Sequence, residues 1–455
     1  MTDTIAALAT APAPSAIGIL RLSGPDAAAV LDRVFTPAGG PPMSRRPDRT
    51  LVYGDLRDAD GAVIDRCLAT LSRSPHSYTG EDTAELQCHG SPAALALGLE
   101  ALFAAGARQA VAGEFTRRAF LNGKLDLTRA EAVADLIEAE TPAAVRQAAS
   151  QLGGALAGAI EAIYNDLAEV CAHFHAVLDY PDEDIDPLRA AELGEALDSA
   201  AIRLDALAAT YRRGRAVNEG LPCAIVGRPN AGKSTLFNAL LGRERAIVTP
   251  VPGTTRDTVE ERVDLAGMTL RLIDTAGLRD TDDEVERLGV ERSRAAMEGA
   301  ELILVLWDSS RPVTEEDAAL LERAMSLAPT ILVRSKCDLP SAPVPFPDPS
   351  KLPPAVEVSA PTGRGLDELE QAVAALFPAG ADDSAAVLTN ARQMEAASRA
   401  RKAVRRGAEA LSAGMPPDAA VADVEEAMSA LGELTGRTVR EDVTDLIFRR
   451  FCVGK

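Results

Sequence analysis

The sequence predicts a multidomain protein of α+β and α/β class. An N-terminal α+β domain is followed by a helical domain split in two, with a P-loop α/β domain inserted between its halves. Three observations carry that expectation. The chain has 455 residues, too many for one core, so about three domains are expected. Residues 227–234 read GRPNAGKS, a G-x-x-x-x-G-K-[S/T] loop with an apolar run before it and a helical run after it. Apolar residues at helical spacing fill the chain on both sides of that segment. The expected boundaries are 1–118, 119–214, 215–379 and 380–455, with hinges at 215–220 and 378–383.

Within 1–118, residues 16–22 (AIGILRL) form a buried-type strand and 26–34 a helix. Strands at 52–56 and 63–71 flank an Asp60-Gly61 turn. A loop at 75–80, a strand at 83–88 and a helix at 91–104 complete the domain. Arg21, Glu85 and His89 sit at its strand edges, and taken alone they read as ordinary surface or satisfied residues.

Residues 127–149, 156–178, 188–211, 384–413 and 418–434 carry helical periodicity. His173 and His175 share a helix with Cys171. A spacing of two does not set both histidines on one face, so no metal site is expected there. The six cysteines, at 67, 88, 171, 223, 337 and 452, form no C-x-x-C pair, so neither a zinc site nor a disulfide framework is expected.

The inserted segment carries the chemistry. Backbone N–H groups of Asn230, Ala231, Gly232, Lys233 and Ser234 are placed to wrap phosphate oxygens at a helix N-terminus. Lys233 adds a point charge for the outer phosphates, and Ser234 offers a hydroxyl to Mg²⁺. A hairpin, 259–265 and 268–273 about Gly267, leads into Asp274-Thr275-Ala276-Gly277. Asp274 is placed for the Mg²⁺ water shell and the Gly277 N–H for the γ-phosphate. Buried-type strands at 302–307 and 330–334 follow.

Ser335-Lys336-Cys337-Asp338 follows the second of these strands. A carboxylate there accepts two hydrogen bonds from a guanine edge, which adenine does not supply. Ser359-Ala360, after the run 356–358, offers a backbone N–H to the guanine carbonyl. Four elements in this order describe a Ras-like P-loop GTPase domain that binds GTP. The set resembles the translation-factor class of small GTPases.

Two departures stand out. That class has Asn where Ser335 stands, and serine lacks the amide that ties this loop to the phosphate loop. One such bond is worth ~1–3 kcal/mol when the freed group stays buried, so weaker nucleotide binding with guanine selectivity retained is expected. Leu278 stands where Ras-like enzymes place a water-orienting glutamine. No arginine finger is evident by spacing, and Arg256 is the nearest candidate. Residues 278–289 (LRDTDDEVERLG) are dense in carboxylates. Asp282, Asp283 and Glu284 read as helix-start acids favoured by the dipole.

A net charge of −21 argues against broad electrostatic coating of nucleic acid, where lysines and arginines displace counterions. Any RNA contact is local or supplied by a partner. No apolar run reaches the ~18 residues of a membrane span, and residues 1–12 have no basic start. A cytoplasmic protein without a membrane anchor is expected.

Five segments carry a resemblance: DTIAALAT at 3–10, IGILRLSG at 17–24, SYTGEDTAELQCHG at 77–90, GEFTRRAFLNGKLDLTRAEAVADLI at 113–137 and FCVGK at 451–455. They resemble the tRNA modification GTPase MnmE (TrmE) family, whose signature is FCIGK at the last position, and the likeness runs from Asp3 to Lys455. Ser91 stands where the family often has glycine.

The resemblance implies a first domain that binds a formyl- or methylene-tetrahydrofolate through Arg21, Glu85, Lys124 and Lys455 and mediates homodimerisation. Glu85 would accept from the pterin donors. For Cys452 a buried structural thiol is the compositional default, and the resemblance implies a functional role near the folate. It also implies K⁺ held by Asn230, Thr249, Val251 and Thr254, Mg²⁺ by Ser234 and Thr255, and Glu286 as the catalytic acid acting through a water. The implied partners are tRNA and the flavin- and NADH-using protein MnmG (GidA), in a heterotetramer-type complex that installs an aminomethyl-type group on the wobble uridine.

Two other readings stay open: a regulatory GTPase switch of ribosome assembly or stress response with an N-terminal interaction module, and a folate-dependent aminomethyltransferase with a degenerate nucleotide domain. The folate-type segments argue against the first and the intact phosphate loop against the second.

Overall fold

Burial alternates along residues 83–90, and this period of two is what one-sided packing of a sheet requires. In the computed structural model that strand is the centre of a seven-stranded sheet ordered β3-β4-β5-β6-β2-β1-β7. Its strands are β1 Ile5–Leu8, β2 Ser15–Ser23, β3 Phe35–Pro37, β4 Val52–Arg57, β5 Val63–Ser72, β6 Thr83–Gly90 and β7 Arg108–Gln109. All pair antiparallel except β1 with β7. The helices Ala27–Val34 and Pro92–Ala104 pack their apolar residues, Val30, Leu31, Leu95 and Leu102 among them, into the core of this sheet. The structure describes residues 3–179, 190–242, 261–265, 267–273, 294–342, 352–377, 386–415, 417–438, 444, 447–449 and 451–454.

Contacts divide the chain into two units. The first joins Met1–Ala134 with Met428–Lys455, and the second is Asp135–Ala427. The second therefore holds most of the helical segments together with the P-loop segment.

The helical elements differ from their expected bounds in three places, one of them the helix expected from 384, which starts at Ala391 with Asn390 capping it by accepting from the Gln393 N–H. The stretch expected as one helix over 127–149 is two, Leu127–Glu138 and Pro142–Leu152. Proline is tolerated only in a first helical turn, and Thr141 caps the new start by accepting from the Ala144 N–H. The hinge expected at 215–220 is helical as far as Asn218, within Ala190–Asn218. Gly220, at φ +80°, then turns the chain into the next strand. The remaining long helices are Ala155–Asp179, Ala391–Ser412 and Pro417–Thr435.

The second sheet is six-stranded, ordered β13-β12-β11-β8-β10-β9. Its members are β8 Leu221–Gly227, β9 Glu261–Leu265, β10 Met268–Leu272, β11 Leu302–Asp308, β12 Thr330–Ser335 and β13 Ala355–Val358. All pair parallel except the β9–β10 hairpin. β11 is buried at every position, as expected of a parallel strand covered on both faces. The chain starts at β8 and then adds strands to either side of it. The carboxyl end of β8 is thus the switch point at which open α/β sheets bind ligands.

Candidate functional site

The phosphate loop grows directly out of β8. Gly227 pairs with Leu306 of β11, and a Cβ on it would lie 2.6 Å from the Leu306 carbonyl oxygen. Only glycine allows that approach. Asn230 then takes the left-handed conformation at φ 63°, and Gly232 does so at φ +92°. Asparagine is among the few side chains that tolerate this region. The helix Lys233–Leu241 begins at once, so its unpaired N–H groups face the loop's concavity.

Lys233 is folded over this loop. Its ammonium donates to the Gly227 carbonyl at 2.8 Å and the Arg228 carbonyl at 2.9 Å. Burial pushes it below the usual lysine range. A partly desolvated cation at a helix N-terminus is in an unfavourable place until an anion joins it. Arg228 fastens the outer side of the loop, pairing with Thr314, Glu316 and Asp317 at the start of the helix Glu315–Leu327.

The guanine-motif strand ends beside this loop, and here one expectation is corrected. Ser335 does not lose the tie to the phosphate loop. Its buried Oγ lies 2.6 Å from the Ala231 carbonyl and 3.1 Å from the Trp307 carbonyl. The single hydroxyl proton serves the shorter contact, so a hydroxyl does the tying that the amide was expected to do. Register explains the reach: Ser335 sits opposite Asp308 at the end of β11, adjacent to β8. Lys336 is left-handed at φ 58° and donates to Asp308 Oδ2 at 2.8 Å. Burial opposes ionisation of Asp308, but donors from Lys336 and Ser310 outweigh it and hold its carboxyl below the usual range.

A cleft of about 170 Å³ lies between these elements, lined by Gly232, Thr235, Ser335, Lys336, Asp338 and Ala360 among others. Ser359 is buried, and its N–H donates to the Arg364 carbonyl. The structure thus brings Gly232, Ser335, Lys336, Asp338 and Ala360 around one cleft, with Ala231 tied to it through Ser335 and Lys233 folded over the adjoining loop. Asn230 and Ser234 belong to the same loop. Thr249, Val251, Thr254, Thr255, Asp274, Thr275, Ala276, Gly277 and Glu286 lie outside the described residues, as does Lys455.

In the first unit, β2 and β6 set Arg21 directly opposite Glu85. Arg21 Nε and Nη2 approach Glu85 Oε1 at 2.9 and 2.8 Å, while Nη1 donates to the Gly454 carbonyl at 3.4 Å. The guanidinium also lies 5.9 Å from the Phe115 ring centroid and 6.0 Å from that of Tyr78. Lys124 runs along the same 78–80 loop: a Cβ on Gly80 would meet its Cε at 3.3 Å. The FCVGK segment docks here by backbone. Val453 bridges to Ala112, and the Gly113 N–H donates to the Cys452 carbonyl at 3.4 Å. Gly454, at φ +102°, leaves no room for a side chain, because a Cβ would lie 2.3 Å from the Leu8 carbonyl oxygen. Cys452 itself is exposed. That corrects the buried-thiol default, because backbone contacts hold the segment while this side chain points to solvent.

Sequence reasoning missed the buried Arg118, which pairs with Asp3, Glu81 and Glu114. It also missed the meeting of Cys171 and His175 with Glu425.

Comparison with known proteins gives the family. The family model described as the GTP-binding protein TrmE N-terminus matches residues 4–124, and that of the MnmE helical domain matches 127–452. The chain is 46% identical over 459 residues to the tRNA modification GTPase MnmE of Chloroflexus aurantiacus, covering 100% of both. It is 45% identical to that of Symbiobacterium thermophilum and 42% identical to that of Geobacter sulfurreducens, covering 100% of this chain and 99% of each relative. No helix among the described residues is long and apolar enough to cross a membrane. This chain belongs to the MnmE (TrmE) family of tRNA modification GTPases.

Proposed function

We propose that this chain hydrolyses GTP to drive modification of the wobble uridine of tRNA, together with a flavin-dependent partner of the MnmG type and a tetrahydrofolate-borne one-carbon unit. The observation that carries the reading is the single cleft shared by the phosphate loop and the Ser335–Asp338 loop. In that cleft the loop N–H groups and Lys233 bind the phosphates. Asp338 accepts from the guanine edge, and the Ala360 N–H meets the guanine carbonyl.

Ser234 offers a hydroxyl and Asn230 a neutral amide oxygen, donors of the type that hard cations take. Thr255 would complete the Mg²⁺ set with Ser234. Thr249, Val251 and Thr254 would complete the K⁺ set with Asn230. When bound, the two cations supply the positive charge that offsets charge developing on the transferring phosphoryl group. Glu286 orients the attacking water through a second water, the task Leu278 does not perform.

For the folate, Arg21, Glu85 and Lys124 offer a carboxylate for pterin donors and cations for a glutamate tail, with Lys455 as a fourth contact. Glu85 Oε2 accepts no protein hydrogen bond among the described residues, so it can take a ligand donor without breaking the pair to Arg21. Homodimerisation through the first unit, a cytoplasmic location and a functional role for Cys452 beside the folate belong to the same reading.

Nucleoside mass spectrometry of tRNA from a deletion strain tests the function. The aminomethyl-type wobble nucleoside should vanish and return with the wild-type gene but not with Lys233→Ala. An unchanged nucleoside profile in the deletion strain would refute it.

A further inference from the structure

Helical spacing of four sets Cys171 and His175 on one face of Ala155–Asp179, a turn apart. Glu425, on Pro417–Thr435, meets that face. His175 Nε2 lies 3.1 Å from Glu425 Oε1, and the Cys171 Sγ and the His175 and Glu425 donor atoms all lie within 4.8 Å of one another. Cys171 is buried and the other two are exposed.

We propose that Cys171, His175 and Glu425 form a site for a divalent transition-metal ion of the Zn²⁺ type, with one position left to water. Tetrahedral zinc with bonds of about 2.0–2.3 Å to nitrogen, oxygen and sulfur needs ligand–ligand edges of roughly 3.3 Å for N···O and roughly 3.5 Å for S···N. The N···O edge is already close to that length, and rotation of the exposed His175 and Glu425 side chains can supply the remaining closure. The donor set selects the metal class: a thiolate and an imidazole suit zinc or cobalt, whereas Mg²⁺ and Ca²⁺ take oxygen ligands. A His–Glu ion pair alone would account for the 3.1 Å contact but gives the thiol no part.

The placement gives the site a purpose. Cys171 and His175 come before the inserted P-loop segment and Glu425 after it, 250 residues on. A bound ion would link the two halves of the helical domain and stabilise it by mass action.

The test uses full-length protein, stripped with chelator, kept reduced and held in excess Mg²⁺, into which Co²⁺ is titrated. The expected result is one equivalent of Co²⁺ per chain with a thiolate-to-cobalt charge-transfer band that Zn²⁺ bleaches. Cys171→Ala should abolish the band. Glu425→Gln, a conservative change at a half-exposed side chain, should weaken Co²⁺ binding by at least about tenfold. Zn²⁺ should raise the Tm of the wild type and leave that of Cys171→Ala unmoved. No band in the wild type, a band that survives Cys171→Ala, or unchanged affinity in Glu425→Gln would overturn the site.

Discussion

At the P-loop cleft, the described contacts that hold functional groups stay within the ends of β8, β11 and β12 and the loop that follows β8. Ser335 reaches Ala231, Lys336 reaches Asp308, and Lys233 folds onto its own loop. Around Arg21 the cross-strand pair to Glu85 is local to one sheet, but its other described hydrogen-bond partner, the Gly454 carbonyl, lies 433 positions along the chain. Formation of the parallel sheet assembles the first site. The proposed second site also involves a segment from the far end of the chain, held by backbone contacts to Gly113 and Ala112. The two sites share no partner among the described residues and should therefore respond independently to substitution.

The largest effect expected is on turnover. Glu286→Ala should lower GTP hydrolysis by about 10²-fold or more, the range of positioned acid–base or orienting groups, with GTP affinity and folate affinity unchanged. Replacing K⁺ by Na⁺ should do the same to the wild type. Equal rates in the two salts, or a fully active variant, would remove both groups from the mechanism.

Next is the N-terminal pocket. Glu85→Ala removes the acceptor for pterin donors, each bond worth ~1–3 kcal/mol when its partner stays buried, or roughly 5- to 150-fold in Kd. Calorimetry with folate should show that loss while GTP affinity stays at the wild-type value. Wild-type folate affinity would refute the site, and a parallel loss of GTP affinity would break the independence of the two regions.

Ser335 sharpens the contrast within the cleft. Ser335→Ala leaves the Ala231 carbonyl without its donor and should weaken GTP binding by about tenfold, near 1.4 kcal/mol. Ser335→Asn should change it by less than about threefold, because the tie already exists. A large gain with asparagine would mean the hydroxyl holds the loop poorly.

The smallest effect concerns pH. Burial opposes ionisation of Glu114, but hydrogen bonds from Arg108, the Val111 N–H and Arg118 outweigh it and hold its carboxyl below the usual range. Arg108 and Arg118 hold Asp3 low against its own desolvation. A depressed folded value gives stability that is complete above the unfolded carboxyl value, about 4.3 for glutamate, and is lost as pH falls through the folded value. Denaturant melts of Glu114→Gln should therefore show a shallower loss of stability below about pH 4.3 than the wild type. An identical slope would exclude the group.

Legibility followed the same division. The phosphate loop, the hairpin, the guanine strand and the helices that pack on them were readable because each is a short motif with its own period or turn chemistry. The Ser335 tie was misjudged because its partner is a backbone oxygen in the loop that follows the next strand but one, and no residue type marks that. β1 and β7 have four and two residues, too few for a period to show. The sequence reading missed the break at Thr141-Pro142, although a cap followed by proline is a helix-start signal, because apolar spacing runs on either side of it. The meeting of Arg21 and Glu85 with Gly454 was legible only through resemblance to a family, since that carbonyl comes from the far end of the chain. Cys171 and His175 offered a helical spacing of four, overlooked beside the two histidines at a spacing of two, and their third partner lies on another helix.

The central claim is that the cleft between the phosphate loop and Asp338 reads guanine. Asp338→Asn exchanges an acceptor oxygen for a donor, so the edge it suits becomes that of xanthine. Measured side by side on the full-length protein, GTP affinity should fall and XTP affinity rise until the preference inverts. A GTP-to-XTP affinity ratio equal to that of the wild type would contradict the assignment of the guanine site.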